Sequence, residues 1–157
     1  ELSRRKDLHI WTNRLKPEFL EGFEGLIQPP DKILDELRGR RRIFARYLNS
    51  GKTPSCAGES CAHCFLQDFC RDLDVLVKDG RLPARAEPAC LGGGEPPAPF
   101  RFGKKKDIFE FARFYIDSRY FLKGSSCRSC ARETGCAGLG VKKIRERGFA
   151  VMRRVKP

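Results

Sequence analysis

Apolar residues recur at helical spacing in four stretches of this chain. Behind Pro29-Pro30-Asp31, the residues Ile33, Leu34, Leu37, Phe44, Tyr47 and Leu48 keep mostly to one face. The prolines lie outside the helix and Asp31 is the expected cap. Gly39 weakens the middle by about 1 kcal/mol relative to alanine. After Cys70, the positions Leu73, Leu76 and Val77 predict a short helix. Residues 108–122 are apolar over more than half the helical circumference, which predicts a core helix packed on two sides. Asp107 and Glu110 ahead of it have capping-box spacing. Residues 139–148 predict a last short helix ending on Gly148. Residues 149–155 alternate weakly, as in a closing strand. Near the start, residues 8–11 read as a short strand and residues 13–28 as a short helix or turn holding Phe19, Phe23 and Leu26.

Between these elements, residues 80–103 are rich in proline and glycine, the composition of a linker or a long ordered loop. Three segments follow. Residues 1–50 read as the end of a larger upstream domain plus a basic helix. Residues 51–90 form a first cysteine module. Residues 91–157 hold the linker, the aromatic helix and a second cysteine module. The chain opens on Glu1 and its only methionine is Met152, so we expect a piece of a longer protein. No apolar run approaches the roughly 20 residues of a membrane span. The expectation is no membrane partner and a cytoplasmic setting.

Hydrophobic residues are 40% and charged residues 33% of the 157. The core is therefore modest, and metal is an expected support. The expected fold class is α+β, small and loop-rich, with few strands. Its short helices would pack around two cysteine-ligated iron–sulfur sites.

The eight cysteines point the same way. Cys61, Cys64 and Cys70 read C-x2-C-x5-C, and Cys127, Cys130 and Cys136 repeat that spacing. A disulfide scaffold permits 105 pairings for eight cysteines, but two C-x2-C pairs favour metal. Zinc is one alternative: Cys61, Cys64, Cys127 and Cys130 suit a tetrahedral site, and two zinc sites would use all eight thiols. A [4Fe–4S] cluster is wider and takes four thiolates at separate corners. The C-x2-C turn serves two corners and the five-residue spacer reaches a third. Cys56 and Cys90 can each complete one triad, and their assignment could be swapped. Two such clusters use every cysteine. Each brings a charge of about −2, which would take the formal +12 to roughly +8.

Other candidates are weaker. Arg38, Arg40, Arg41 and Arg42 read first as a solvated helix face, and second as a phosphate-binding one. His9 and His63 are the only histidines. His63 sits between two candidate ligands. Gly51-Lys52-Thr53 lacks the earlier glycine of a phosphate loop. No paired carboxylates or Ser/His/Asp set suggests hydrolysis, and catalytic residues are not identifiable.

From Cys127 onward, CRSCARETGCAGLGVKKIRERGF resembles the C-terminal end of radical SAM enzymes with auxiliary iron–sulfur clusters, the SPASM-like group. Its glycine two places after the last cysteine matches, as Gly138. The next cysteine of that pattern is replaced by Gly140, and the C-x3-C-x2-C hallmark is absent. The stretch CAGESCAHCFLQDFC is also similar to the cluster loop of endonuclease III-type DNA glycosylases, with a first spacer two residues shorter. The first resemblance implies two auxiliary [4Fe–4S] clusters held by Cys56, Cys61, Cys64, Cys70, Cys90, Cys127, Cys130 and Cys136. They would transfer electrons or position a peptide or small-molecule substrate. S-adenosylmethionine would bind only in an upstream radical SAM domain, and an electron donor protein is an implied partner. The alternative is a basic nucleic-acid-binding module with structural zinc or iron–sulfur sites. It would use residues 40–42, Lys104, Lys105, Lys106, Arg145, Arg147, Arg153 and Arg154 on phosphates.

Overall fold

The computed structural model describes residues 12, 15–54 and 56–156. The strand expected at 8–11, and His9 within it, lie outside them. Helix α1 spans Lys32–Gly39 and α2 spans Arg41–Ser50. The apolar spacing predicts one helix here; the chain breaks it at Arg40, with φ −116° and ψ 15°. Gly39, the residue with most backbone freedom to lose, ends α1. Asp31 stands before α1 in helical conformation and makes no side-chain cap. Main-chain bonds close that turn instead, from the Lys32 and Ile33 N–H groups to the Pro29 and Pro30 carbonyls, each 3.0 Å.

Helix α3 spans Gln67–Asp79 and α4 spans Ile108–Ser118. Asp107 does cap α4, accepting the Phe109 N–H at 2.9 Å. The apolar run continues to 122, but α4 stops at Arg119 because the next residues pair elsewhere. Strand β1, Phe121–Leu122, lies antiparallel to β2, Leu139–Gly140. Helix α5, Val141–Arg147, follows at once and ends at Gly148. The expected closing strand is instead a 3-10 turn, Phe149–Val151. Glu24 accepts the Phe149 N–H at 3.0 Å, and the Phe149 ring is buried. Burial of that ring sets the chain's path where weak alternation predicted extension. Residues 17–20 and 24–26 form 3-10 turns. The architecture is α+β: among the described residues, five α-helices and one two-stranded sheet.

Residues 80–103 are an ordered loop. Leu82 and Phe100 exchange main-chain bonds of 2.9 and 2.8 Å, and a 3-10 turn at Ala89–Leu91 carries Cys90.

Two apolar cores result. The first joins α1 to α4 around Phe69, whose ring meets Phe44, Phe111 and Tyr115. Such pairs add to the burial term through their edge and face charges. The second core unites Leu20 and Ile27 with Leu122, Leu139, Val141, Ile144, Phe149 and Met152. Packing therefore runs across the three sequence segments: α4 completes the first core and residues 20–27 complete the second. Among the described residues, no helix is long and apolar enough to cross a membrane.

Candidate metal centres

Both C-x2-C pairs are built on one local fold. In the first, the Cys61 N–H bonds to the Gly58 carbonyl (2.9 Å), Cys64 to Cys61 (3.1 Å) and Gln67 to Cys64 (3.0 Å). In the second, Cys127 bonds to Gly124 (3.1 Å), Cys130 to Cys127 (3.1 Å) and Glu133 to Cys130 (3.0 Å). Cys64 and Cys130 share a backbone conformation, φ −85° and ψ 131° against φ −88° and ψ 135°. The repeat is thus longer than the cysteine spacing. It reads G-x-S-C-x2-C, from Gly58, Ser60, Cys61 and Cys64 to Gly124, Ser126, Cys127 and Cys130. Sequence reasoning missed the glycine and serine, although both stand at equal offsets in both copies. Gly124 has a packing reason: a Cβ there would lie 3.1 Å from the Phe149 ring. Ser126 donates to the Met152 carbonyl at 3.0 Å and pins the turn to the second core. Beyond the third bond the copies diverge. Cys70 enters the first turns of α3, while Cys136 lies in a loop.

The structure divides the cysteines into two groups of four. Cys90, Cys127, Cys130 and Cys136 line one hollow. Its cavity volume is about 20 Å³, the room of one water. Burial raises the Cys127 thiol, and Cys136, Cys90 and Cys130 raise it further. The other group gathers about Cys70. Burial, then Cys64, Cys56, Asp74 and Cys61, push that thiol up to about 12. Cys56 thus sits with the first triad and Cys90 with the second. All eight cysteines are free thiols. Among the described residues, no three His, Cys, Asp or Glu side chains close on a point that could hold a single ion.

Several groups donate to these sulfurs. The Val155 N–H reaches Cys130 Sγ at 3.4 Å and the Gly138 N–H reaches Cys136 Sγ at 3.4 Å. Main-chain N–H groups of Arg132 and Val155 hold the Cys130 thiol below its usual value. Arg40 Nη1 reaches Cys64 Sγ at 3.6 Å, and that bond is the largest cause raising the guanidinium's pKa. One member of the arginine cluster therefore faces a cysteine, while Arg38, Arg41 and Arg42 are exposed. His63 is exposed. Lys123, Arg132, Arg153 and Arg154 surround the second hollow beside one carboxylate, Glu133. N–H donors and cations around thiols favour the deprotonated form, the form that binds metal.

Gly138 shows why a glycine follows Cys136 by two places. Its φ is +93°, and a Cβ would sit 2.0 Å from the Leu122 carbonyl oxygen. Only glycine lets the chain leave Cys136, donate to its sulfur and enter β2 beside β1.

Four thiols on one hollow, with main-chain N–H groups on two of the sulfurs, form a donor set suited to a soft metal or an iron–sulfur cluster. Comparison with protein-family models, with curated proteins and with solved structures finds no match for this chain.

Proposed function

We propose that this chain holds two [4Fe–4S] clusters and serves as the auxiliary-cluster region of a radical SAM enzyme. One cluster would be held by Cys56, Cys61, Cys64 and Cys70. The other would be held by Cys90, Cys127, Cys130 and Cys136. The observation that carries this reading is the duplicated G-x-S-C-x2-C turn, each copy gathered with a third and a fourth thiol. Four thiols per site leave no ligand position over, which favours electron relay over substrate ligation. When bound, such clusters supply one-electron transfer.

The chain's own residues set the conditions for that role. Phe69 and its aromatic neighbours exclude water behind Cys64 and Cys70. Arg40, Gly138 and Val155 donate to sulfur. Gly138, with its positive φ beside Leu122, gives a physical reason for the glycine that links this chain to the SPASM-like pattern.

The test is iron, acid-labile sulfide and zinc per chain after anaerobic purification. About eight irons and eight sulfides are expected. About one or two zincs with no sulfide would overturn the iron–sulfur reading. In that case salt-dependent nucleic-acid binding by the exposed arginines becomes the function to measure.

A further inference from the structure

After the turn that buries Phe149, the chain passes along the second thiol hollow. Met152, Arg153, Arg154 and Val155 all line it. None of the four belongs to a helix or strand. Three hydrogen bonds tie this segment to the second C-x2-C turn. Ser126 Oγ donates to the Met152 carbonyl at 3.0 Å. The Ala131 N–H donates to the Val155 carbonyl at 3.0 Å, and the Val155 N–H donates to Cys130 Sγ at 3.4 Å.

The two ends are held by different means. The Met152 side chain is buried in the second core. Arg153 and Arg154 are exposed, and Val155 is half-buried and outside both cores. The Val155 end is therefore held by its main-chain bonds. One of those bonds depends on what Cys130 holds. A thiol sulfur is a weak acceptor. A metal-bound thiolate is anionic, and hydrogen bonds to ionised acceptors are about twice as strong. Metal at Cys130 thus tightens the Val155 bond, and by linkage the closed bond tightens the metal. Among the described residues, the first group differs: a side chain, Arg40, is what donates to its sulfur.

We propose that residues 152–155 form a strap over the second thiol group. It is latched at Val155 when that group holds metal and released there when the group is empty. Val155 is a positioning residue for Cys130, and the strap responds to loading of the second site alone. This rests on the second group binding metal, whether as an iron–sulfur cluster or as zinc.

The test is hydrogen exchange of the full chain, read by mass spectrometry on the anaerobically purified protein and after removal of its metal by a chelator. Peptides covering residues 150–156 should exchange at least about fivefold faster in the metal-free chain. Peptides from α4 should stay protected in both samples. Cys56→Ser, altered only in the first group, should keep the slow exchange at 150–156. Cys90→Ser should show the fast exchange. Val155→Pro removes the latch donor, and should speed metal loss from the second site to a chelator at least about fivefold while leaving the first site's rate unchanged. Equal exchange at 150–156 with and without metal would overturn the strap. So would loss of α4 protection along with it, fast exchange in Cys56→Ser, or unaltered metal loss in Val155→Pro. Metal content of the same samples separates the two readings: a chain that holds neither iron nor zinc overturns both, whereas full metal with unchanged exchange overturns the strap alone.

Discussion

Arg119 holds Asp72 through two parallel hydrogen bonds, Nε to Oδ2 at 2.7 Å and Nη2 to Oδ1 at 2.8 Å. Its Nη1 donates to the Pro83 carbonyl at 3.0 Å. One guanidinium thereby ties together the end of α4, the middle of α3 and the start of the 80–103 loop. Asp72 lies two residues from Cys70, and that loop carries Cys90.

Both partners are largely buried, at 13% and 14% side-chain exposure. Removing one leaves an uncompensated charge. Asp72→Asn and Arg119→Met should each destabilise the fold by about 3–5 kcal/mol in denaturant titration. The double variant Asp72→Asn with Arg119→Met should be less destabilised than the sum of the singles. Strict additivity would show that the pair is not coupled.

At Gly138 the expected outcome is more severe. A Cβ would overlap the Leu122 carbonyl oxygen, and the conformation is itself strained for any other residue. Gly138→Ala should lower Tm by more than Gly135→Ala, where nothing lies within 4 Å of an added Cβ. It should also displace the N–H that faces Cys136. Equal Tm values for the two variants would contradict the close approach of β1 and β2.

Alkaline pH should weaken the fold. Tyr47, Tyr115 and Tyr120 are all three tyrosines of the chain. Burial is the main cause raising each above the ordinary 10.0, Tyr120 to about 12. Tyr47 is raised further by its hydrogen bond to Asp74. An acid with a raised folded pKa is bound more tightly as its neutral form. That stability is complete below pH 10 and is lost as pH climbs from 10 through 12. Tm should therefore fall over that window, and tyrosinate absorbance should appear only with unfolding. Ordinary titration of all three tyrosines in the folded protein would refute their burial.

The division of thiols makes a separable prediction about loading. Cys56→Ser and Cys90→Ser should each lower iron from about eight to about four per chain, by losing different clusters. The double variant should lose nearly all iron. If either single variant emptied both sites, the two groups of four would not be independent.

Charge around the sites predicts an order of potentials. Lys123, Arg132, Arg153 and Arg154 outnumber the single carboxylate Glu133 around the second group, whereas Arg40 faces the first and Asp74 lies near Cys70. Cations and N–H donors favour the more negative, reduced state of a cluster. If the two thiol groups hold the clusters proposed above, the second should titrate at the higher potential. Arg153→Gln with Arg154→Gln should lower that potential and leave the first unchanged, as followed by spectroscopic redox titration.

Much of this molecule was legible from local pattern. The Asp107 cap, α3, the end of α5 at Gly148 and both C-x2-C turns depend on residues a few positions apart. Periodicity and capping chemistry report on such neighbours directly. The G-x-S extension was equally local and equally readable.

The remaining features depend on contacts between distant residues. Residues 121–122 continue an apolar helical run, yet they pair with residues 139–140, because two strands exchange main-chain bonds that no helix can offer them. Phe149 turns inward rather than extending, because a space in the second core and Glu24 receive it. Cys90 joins the second triad only because the Leu82–Phe100 bridge and the Arg119 clamp fold its loop that way. Spacing along the chain identifies which side chains have the chemistry to bind metal. Which of them meet is decided by long-range packing, since a loop's closure depends on partners that its own residues do not encode.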